Sequence, residues 1–173
     1  MKNKYFLIII GSFFFFCFIV FFKGLKNPSI YIPELQKEKS FPEFKARDFY
    51  SDKKISSVDI FNDNNFYLIN IWSSWCIPCR SEHNYLIKLK KKNLIKLVGI
   101  NYKDNFENAK KFLDELENPY SKIIKDKNGT ISIELGAYGV PETFIIDKRK
   151  KIIKKITGPI NEKIYNEILL IIK

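Results

Sequence analysis

The sequence predicts an α/β protein in which helices flank a central mixed β-sheet, with one transmembrane helix at the amino end. Two short apolar runs, 66–72 and 95–102, are typical of buried strands. The segment between them, 78–91, carries apolar residues at helical spacing. A strand, a helix and a strand of these lengths form a crossover that joins two parallel strands.

The amino-terminal run 5–22 contains no charged side chain. As a helix, its eighteen residues span roughly 27 Å, close to the ~30 Å hydrocarbon layer of a bilayer. A cleaved signal peptide is the rival interpretation, but no pair of small residues suited to cleavage follows the run. Cys17 follows two phenylalanines, which argues against lipidation and favours a small lipid-facing or packing residue. We therefore expect an uncleaved anchor.

The charges around this run leave its orientation open. Lys2 and Lys4 precede it, while Lys23 and Lys26 follow it, so the positive-inside bias is nearly balanced. The predicted organisation is a short amino-terminal segment (1–4), the transmembrane anchor (5–22), a linker (23–40) and one globular domain (41–173).

The formal net charge of the chain is +11. A basic balance of this size can indicate binding to nucleic acid. However, only Arg47, Arg80 and Arg149 are arginines, and the lysines are scattered instead of alternating with base-stacking aromatic residues. We therefore expect no nucleic-acid partner.

The second half of the domain continues to alternate between element types. Asp104 followed by Glu107 predicts a capping box that opens a helix ending near Leu116. The remaining predicted elements are a short strand at 121–126, a turn at 126–129, one or two helical turns at 131–135, a hairpin of 142–147 with 151–158, and a final helix with a buried stripe of Ile164, Ile168 and Ile171 or Ile172. This order of elements is similar to the thioredoxin fold.

Two of the three cysteines, Cys76 and Cys79, lie in the segment WSSWCIPCRSEH, where the first predicted strand passes into a helix. Unpaired backbone N–H groups and the positive end of a helix favour a thiolate at Cys76. Arg80 adds a nearby positive charge. Cys79 lies one turn inside the helix, where it is shielded and can attack a mixed disulfide formed by Cys76. The pair is therefore predicted to be a redox-active disulfide.

Other uses of a CxxC pair fit the sequence less well. Covalent haem attachment requires a histidine directly after the second cysteine, and Arg80 stands there. A structural zinc site needs four ligands, but only His83 is near the pair, which leaves a copper(I) site of two sulfurs and His83 as the metal alternative. A purely structural disulfide across three residues closes too small a loop to stabilise much.

Further candidate site residues lie on both sides of the pair. Glu82 follows Cys79 by one helical turn, and Glu142 begins a strand that this fold brings opposite the cysteines. A partly buried carboxylate there has a raised pKa and can exchange a proton with Cys79. The sequence alone favours a trans Val140–Pro141 bond and leaves the cis form as the alternative. If the bond is cis, the backbone of Val140 faces the cysteines and can pair with an extended substrate.

Four segments, WCIPCRSEH, GINYKD, ELENPY and GAYGVPETFIID, resemble the membrane-anchored thiol:disulfide interchange proteins of the DsbE type, also called CcmG, which serve cytochrome c maturation. The likeness spans about 41–173 together with the anchor. GVPETFIID after GINYKD is much more specific than the CxxC alone. Asn70 also resembles this family, since thioredoxins carry a buried aspartate there, and Glu82 or Glu142 is expected to take over its proton relay.

The resemblance implies a single-pass protein of the bacterial inner membrane with a cytoplasmic amino terminus (1–4) and its carboxy-terminal domain in the periplasm. It implies Cys76 as nucleophile, Cys79 as resolving cysteine, and Pro141 as a cis-proline. Glu82 and Glu142 would tune the site, and we expect Trp75, Val140 and Pro141 to bind substrate. The implied partners are a membrane thiol reductase as electron donor, the cytochrome c maturation machinery, and apocytochrome c, whose CxxCH segment would be reduced.

We expect no cofactor, no metal and a monomer. Two alternatives stay open at this point. One is a general reductase or oxidase of envelope proteins. The other is a chaperone that binds copper or apocytochrome without redox chemistry.

Overall fold

The structure is a computed structural model that describes residues 2–26 and 41–173. The described residues fall into two compact units, one formed by helix α1 (Lys2–Lys26) and the other by residues 41–173. The predicted linker 23–40 begins inside α1, and its remainder, 27–40, lies outside the described residues.

Helix α1 contains the whole of the predicted apolar run 5–22. Its large apolar side chains are exposed, as at Phe13, Phe16 and Phe21. Cys17 is a half-buried free cysteine on this helix. Across the two described ranges, no helix combines the length and the apolarity needed to cross a membrane.

The second unit is built on a seven-stranded sheet. Its strands are β1 (Lys45–Asp48), β2 (Lys54–Ser56), β3 (Tyr67–Trp72), β4 (Lys96–Tyr102), β5 (Lys122–Asp126), β6 (Glu142–Ile146) and β7 (Ile152–Thr157). Their order across the sheet is β2-β1-β5-β4-β3-β6-β7. Strands β3, β4 and β5 run parallel, and the other neighbouring pairs are antiparallel. The predicted mixed sheet is confirmed.

Helices cover both faces of this sheet. They are α2 (Ser57–Ile60), α3 (Ile77–Lys92), α4 (Phe106–Leu116), α5 (Thr130–Glu134) and α6 (Glu162–Ile171). Every residue of the central strand β3 is buried, and its side chains alternate between two hydrophobic clusters. Leu68 and Trp72 pack with α3, α4 and α6, while Ile69 and Ile71 pack with α2 and α5. The central strand therefore holds the start of α3 against a rigid core.

Two predictions about local structure are wrong or incomplete. Strands β1 and β2 and the short helix α2 were not predicted. The predicted capping box at Asp104 is also absent, because Asn105 is the N-cap of α4 and its side chain accepts hydrogen bonds from the backbone N–H groups of Glu107 and Asn108. Asp104 instead binds the loop that leads into the CxxC segment.

Candidate active site

The paired cysteines lie where β3 passes into α3, as predicted. Cys76 and Cys79 are joined by a disulfide, and their Cα atoms are 5.3 Å apart. Cys76 is the N-cap of α3, and its Sγ accepts a hydrogen bond of 3.1 Å from the backbone N–H of Cys79. Pro78 occupies the first turn, where its missing N–H costs no intrahelical bond. After reduction, this helix end would stabilise negative charge on the Cys76 sulfur.

Both cysteines are buried, with 4% of Cys76 and 2% of Cys79 exposed. We expected only Cys79 to be shielded from solvent. Because both are buried, the two thiols differ in their positions on α3 and not in their burial. The neighbouring apolar side chains Trp75 and Ile77 are exposed at 57% and 83%. The disulfide therefore lies beneath an apolar rim that an incoming polypeptide could contact.

Arg80 points toward α4. Its guanidinium lies 3.5 Å from the Glu115 carboxylate and 4.9 Å from the centre of the Phe112 ring. Because Glu115 partly neutralises this charge, the predicted contribution of Arg80 to a Cys76 thiolate is weakened, and the helix end remains the main source of positive potential.

Asp104 fastens the loop before Cys76. Its carboxylate accepts hydrogen bonds from the backbone N–H of Ser74 at 2.6 Å and from the Ser74 hydroxyl at 2.7 Å. The Asn101 side-chain amide and the Asn105 backbone N–H donate to the same carboxylate, at 3.0 and 2.8 Å.

The exposed Trp75 is held nearby, since its indole N–H donates to the Lys103 carbonyl at 3.2 Å. The entry to α3 is therefore fixed by the end of β4 and the start of α4.

Glu82 is fully buried on α3, one turn after Cys79. Its Oε1 accepts a hydrogen bond of 2.8 Å from the Asn70 side-chain amide, and its Oε2 accepts one of 2.8 Å from the backbone N–H of Ile160. Burial raises the pKa of Glu82 to about 7, against the lowering effect of these two hydrogen bonds. A carboxylate with this pKa can take up or release a proton near neutral pH.

Asn70 connects Glu82 to two residues that sequence reasoning missed. The Tyr120 hydroxyl donates to Asn70 Oδ1 at 2.6 Å, and the Asn70 amide donates to Thr143 Oγ1 at 3.1 Å. Burial, followed by the negative charge of Glu82, raises the pKa of Tyr120 well above its usual value, so Tyr120 stays neutral. Tyr120 belongs to the quoted ELENPY segment, which was the one signal that could have drawn attention to it.

Glu142 has a different environment from Glu82. It is buried at the start of β6, and its Oε2 lies 2.7 Å from Nζ of Lys155, whose side chain is also buried. Its Oε1 accepts hydrogen bonds from the backbone N–H groups of Tyr138 and Gly139, at 2.7 and 3.1 Å. Although Oε2 forms no hydrogen bond of good geometry in the described residues, the ion pair compensates its charge. Glu142 therefore holds the loop before Pro141.

The Val140–Pro141 peptide bond is cis. Pro141 is buried, and the half-buried Val140 packs against the cluster that contains both cysteines. The loop 138–140 and the CxxC segment therefore border one hydrophobic cluster.

His83 is buried, with 2% exposed. Its Nε2 lies 2.7 Å from the Glu117 carbonyl, and its ring packs edge-on against Phe112. Burial lowers the pKa of His83, which favours the neutral ring. These contacts occupy His83 within the core beside α4, which disfavours the copper alternative.

Residues 36–169 match the redoxin family. The chain belongs to that family. Three similar proteins bear the name thiol:disulfide interchange protein DsbE. That of Pseudomonas fluorescens biotype C is 37% identical, over 87% of this chain and 83% of the relative. That of Pseudomonas aeruginosa is 35% identical, over 98% of this chain and 92% of the relative. That of Escherichia coli strain K12 is 36% identical, over 75% of this chain and 69% of the relative. The resemblance to DsbE-type proteins is confirmed, and this redoxin-family chain is a thiol-disulfide oxidoreductase.

Solved structures of other proteins share the fold. The thioredoxin domain of a thiol-disulfide oxidoreductase from Bacteroides vulgatus matches with a TM-score of 0.66 at 22% identity, covering 81% of this chain and 100% of that domain. A secreted thiol-disulfide isomerase from Corynebacterium glutamicum matches with a TM-score of 0.67 at 20% identity, covering 83% and 95%. The predicted thioredoxin-like fold is confirmed.

Proposed function

We propose that this oxidoreductase reduces the disulfide of apocytochrome c CxxCH segments from the outer face of the bacterial inner membrane. The observation that carries the proposal is the Cys76–Cys79 disulfide at the amino end of α3, with the buried carboxyl of Glu82 one turn behind it. The similarity to proteins named DsbE supports the choice of substrate.

The proposed reaction begins with the dithiol form of the protein. The Cys76 thiolate attacks one sulfur of the substrate disulfide, which forms a mixed disulfide and releases the other substrate sulfur as a thiolate. Cys79 then gives its proton to the Glu82 carboxylate and attacks the Cys76 sulfur. The second substrate sulfur also leaves as a thiolate. The two substrate thiolates take up one proton released by Glu82 and one from water, and the protein is left with the disulfide seen in the structure. A membrane thiol reductase returns two electrons to restore the dithiol.

The substrate chain is proposed to lie along the apolar rim above the cysteines. Trp75 supplies an exposed aromatic face, and the Val140 backbone, next to Pro141, can pair with an extended CxxCH segment. The cytochrome c maturation machinery would present that segment in an unfolded state, since a folded cytochrome would not expose it as a strand.

Although none of the described helices meets the length and apolarity expected of a membrane span, the proposal includes a membrane anchor formed by the apolar run 5–22 of α1. Its support is the uncharged run 5–22 and the exposure of large apolar side chains such as Phe13 and Phe16. The wild-type chain should remain in the membrane pellet after alkaline extraction. The Phe13→Lys, Phe16→Lys variant should be released, since each buried lysine costs about 2.5 to 3.5 kcal/mol. Release of the wild-type chain would contradict the anchor.

The substrate is tested by trapping in cells that make c-type cytochromes. The full-length Cys79→Ala variant should accumulate a mixed disulfide with an apocytochrome c chain, because no resolving thiol remains. The Cys76→Ser, Cys79→Ala variant is the control and should trap nothing. Capture of many envelope proteins without any cytochrome would instead indicate a general envelope reductase or oxidase.

A further inference from the structure

We propose that Tyr120 and Asn70 are positioning residues for Glu82, with the Tyr120 hydroxyl orienting the Asn70 side-chain amide so that one of its N–H groups faces the Glu82 carboxylate. This inference rests on the proposed role of Glu82 as proton acceptor. The three side chains come from the loop before β5, from β3 and from α3, and all are buried.

The orientation of the Asn70 amide follows from its partners. An asparagine side chain offers one carbonyl oxygen and two N–H donors. The Tyr120 hydroxyl donates to the oxygen at 2.6 Å, which leaves both donors for Glu82 Oε1 at 2.8 Å and Thr143 Oγ1 at 3.1 Å. The reversed amide would turn its oxygen toward the carboxylate. That arrangement is acceptable only when Glu82 carries a proton.

The Tyr120 ring is itself held in place by the core. It stacks on Trp72 with ring centres 5.7 Å apart and an angle of 19°. Gly99, which pairs with Asn70 across the sheet, provides the space, since a Cβ there would lie 3.0 Å from the Tyr120 ring. A Tyr120→Phe variant therefore keeps the packing of the ring and loses only the hydroxyl.

The Glu82 carboxylate accepts hydrogen bonds from the Asn70 amide of β3 and from the Ile160 backbone N–H before α6. The Tyr120 hydroxyl lies beyond Asn70, and Cys79 precedes Glu82 by one turn on α3. The charge of Glu82 acts on Tyr120, a titratable side chain from another element of the fold. Loss of the Tyr120 hydroxyl therefore acts on Glu82 through Asn70.

The test measures the titration of Glu82 directly, by infrared difference spectroscopy of the full-length oxidised chain in detergent. The carboxylic C=O band of Glu82 is identified as the band lost in Glu82→Gln. In Tyr120→Phe, we expect the midpoint of this band to move up by about 0.5 to 1 pH unit, the size expected from one buried hydrogen bond. Tyr165→Phe, on a half-buried tyrosine of α6, is the matched control and should leave the midpoint unchanged.

The outcomes separate this inference from the proposed function. An unchanged midpoint in Tyr120→Phe, or an equal shift in Tyr165→Phe, overturns the positioning role, whatever the rate of thiol exchange. The Asn70→Leu variant provides a second test, because it should raise the midpoint at least as far as Tyr120→Phe does. A shifted midpoint with exchange kinetics that do not depend on Glu82 would support the positioning role while contradicting the proposed function of Glu82.

Discussion

The carboxylate of Glu82 is held by the side-chain amide of Asn70 at 2.8 Å, with both side chains fully removed from solvent. An uncompensated carboxylate at this depth is costly, and burial raises the pKa of Glu82 to about 7. The resolving cysteine therefore has, one helical turn away, a carboxyl group that is close to half-ionised at neutral pH.

This pKa predicts how stability depends on pH. The pKa of Glu82 is about 7 in the folded protein against 4.5 in a solvated chain, so the folded protein binds the extra proton between these values. Since stability falls with rising pH wherever the folded state binds more protons, the contribution of Glu82 to the free energy of unfolding decreases from pH ~4.5 to ~7 and then levels off. In Glu82→Gln this decrease should be smaller by roughly 3 kcal/mol.

Urea unfolding of the oxidised full-length chain at several pH values, followed by tryptophan fluorescence, measures this difference. Both tryptophans, Trp72 and Trp75, belong to the globular unit. Parallel pH profiles for the wild type and Glu82→Gln would show that Glu82 ionises as it does in water.

Removal of the Glu82 carboxylate should slow the resolving step. In single-turnover release of a CxxCH peptide from its mixed disulfide with Cys76, Glu82→Gln should react about 100-fold more slowly than the wild type at pH 7. This factor is the lower end of the usual rate loss on removal of a general base. The matched control is Glu134→Gln, on an exposed residue of α5, which should release the peptide at the wild-type rate. Equal rates in both variants would assign Cys79 deprotonation to another group.

Removal of Lys155 from its buried ion pair with Glu142 should lower the free energy of unfolding by a large amount. Lys155→Met leaves the Glu142 carboxylate buried without its cation, which should cost about 3 to 5 kcal/mol of unfolding free energy. Lys155→Met with Glu142→Gln should recover much of it, because the glutamine oxygen still accepts from the backbone N–H groups of Tyr138 and Gly139.

Lys111→Met, which breaks an exposed pair with Glu115, is the control for this experiment and should change stability little. If Lys155→Met behaves like Lys111→Met in chemical unfolding, the Lys155–Glu142 pair does not hold the loop before Pro141.

The close packing around Gly99 predicts that a larger residue at this position destabilises the fold. A Cβ at this position would lie 2.8 Å from Trp72 Nε1 and 3.0 Å from the Tyr120 ring, so Gly99→Ala should cost about 1 to 3 kcal/mol in overpacking. Gly139→Ala is the matched control, since a Cβ at Gly139 would meet nothing within 4 Å. Comparable unfolding free energies for the two variants would contradict the close packing of Trp72, Tyr120 and β4.

Much of the fold was predictable because its elements have clear periodicity. The β3–α3–β4 crossover, helix α4, the β6–β7 hairpin and helix α6 all match predicted segments within a few residues. Strands β1 and β2 and helix α2 were missed because they are three or four residues long, and β1 reads KARD, with charged side chains on its exposed face. Such segments become strands by pairing with a sheet edge.

The site was predictable only where its residues are close in sequence. The position of Cys76 and Cys79 at the start of a helix follows from the local pattern. The contacts of Asn70 with Tyr120 and Thr143 join residues 50 and 73 positions apart, which no local pattern encodes. The same holds for Lys155, which lies on β7 and pairs with Glu142 on β6. The burial of His83 depends on Phe112 and the Glu117 carbonyl from another element.

We expect the amino end of α3 to make Cys76 the attacking thiolate. The most direct test is the pH dependence of alkylation of Cys76 in the full-length Cys17→Ser, Cys79→Ala variant, in which Cys76 is the one remaining cysteine. We expect the rate to reach half its maximum at a pH well below ~8.5, the value for an ordinary thiol. A half-maximum at ~8.5 or above would contradict the account.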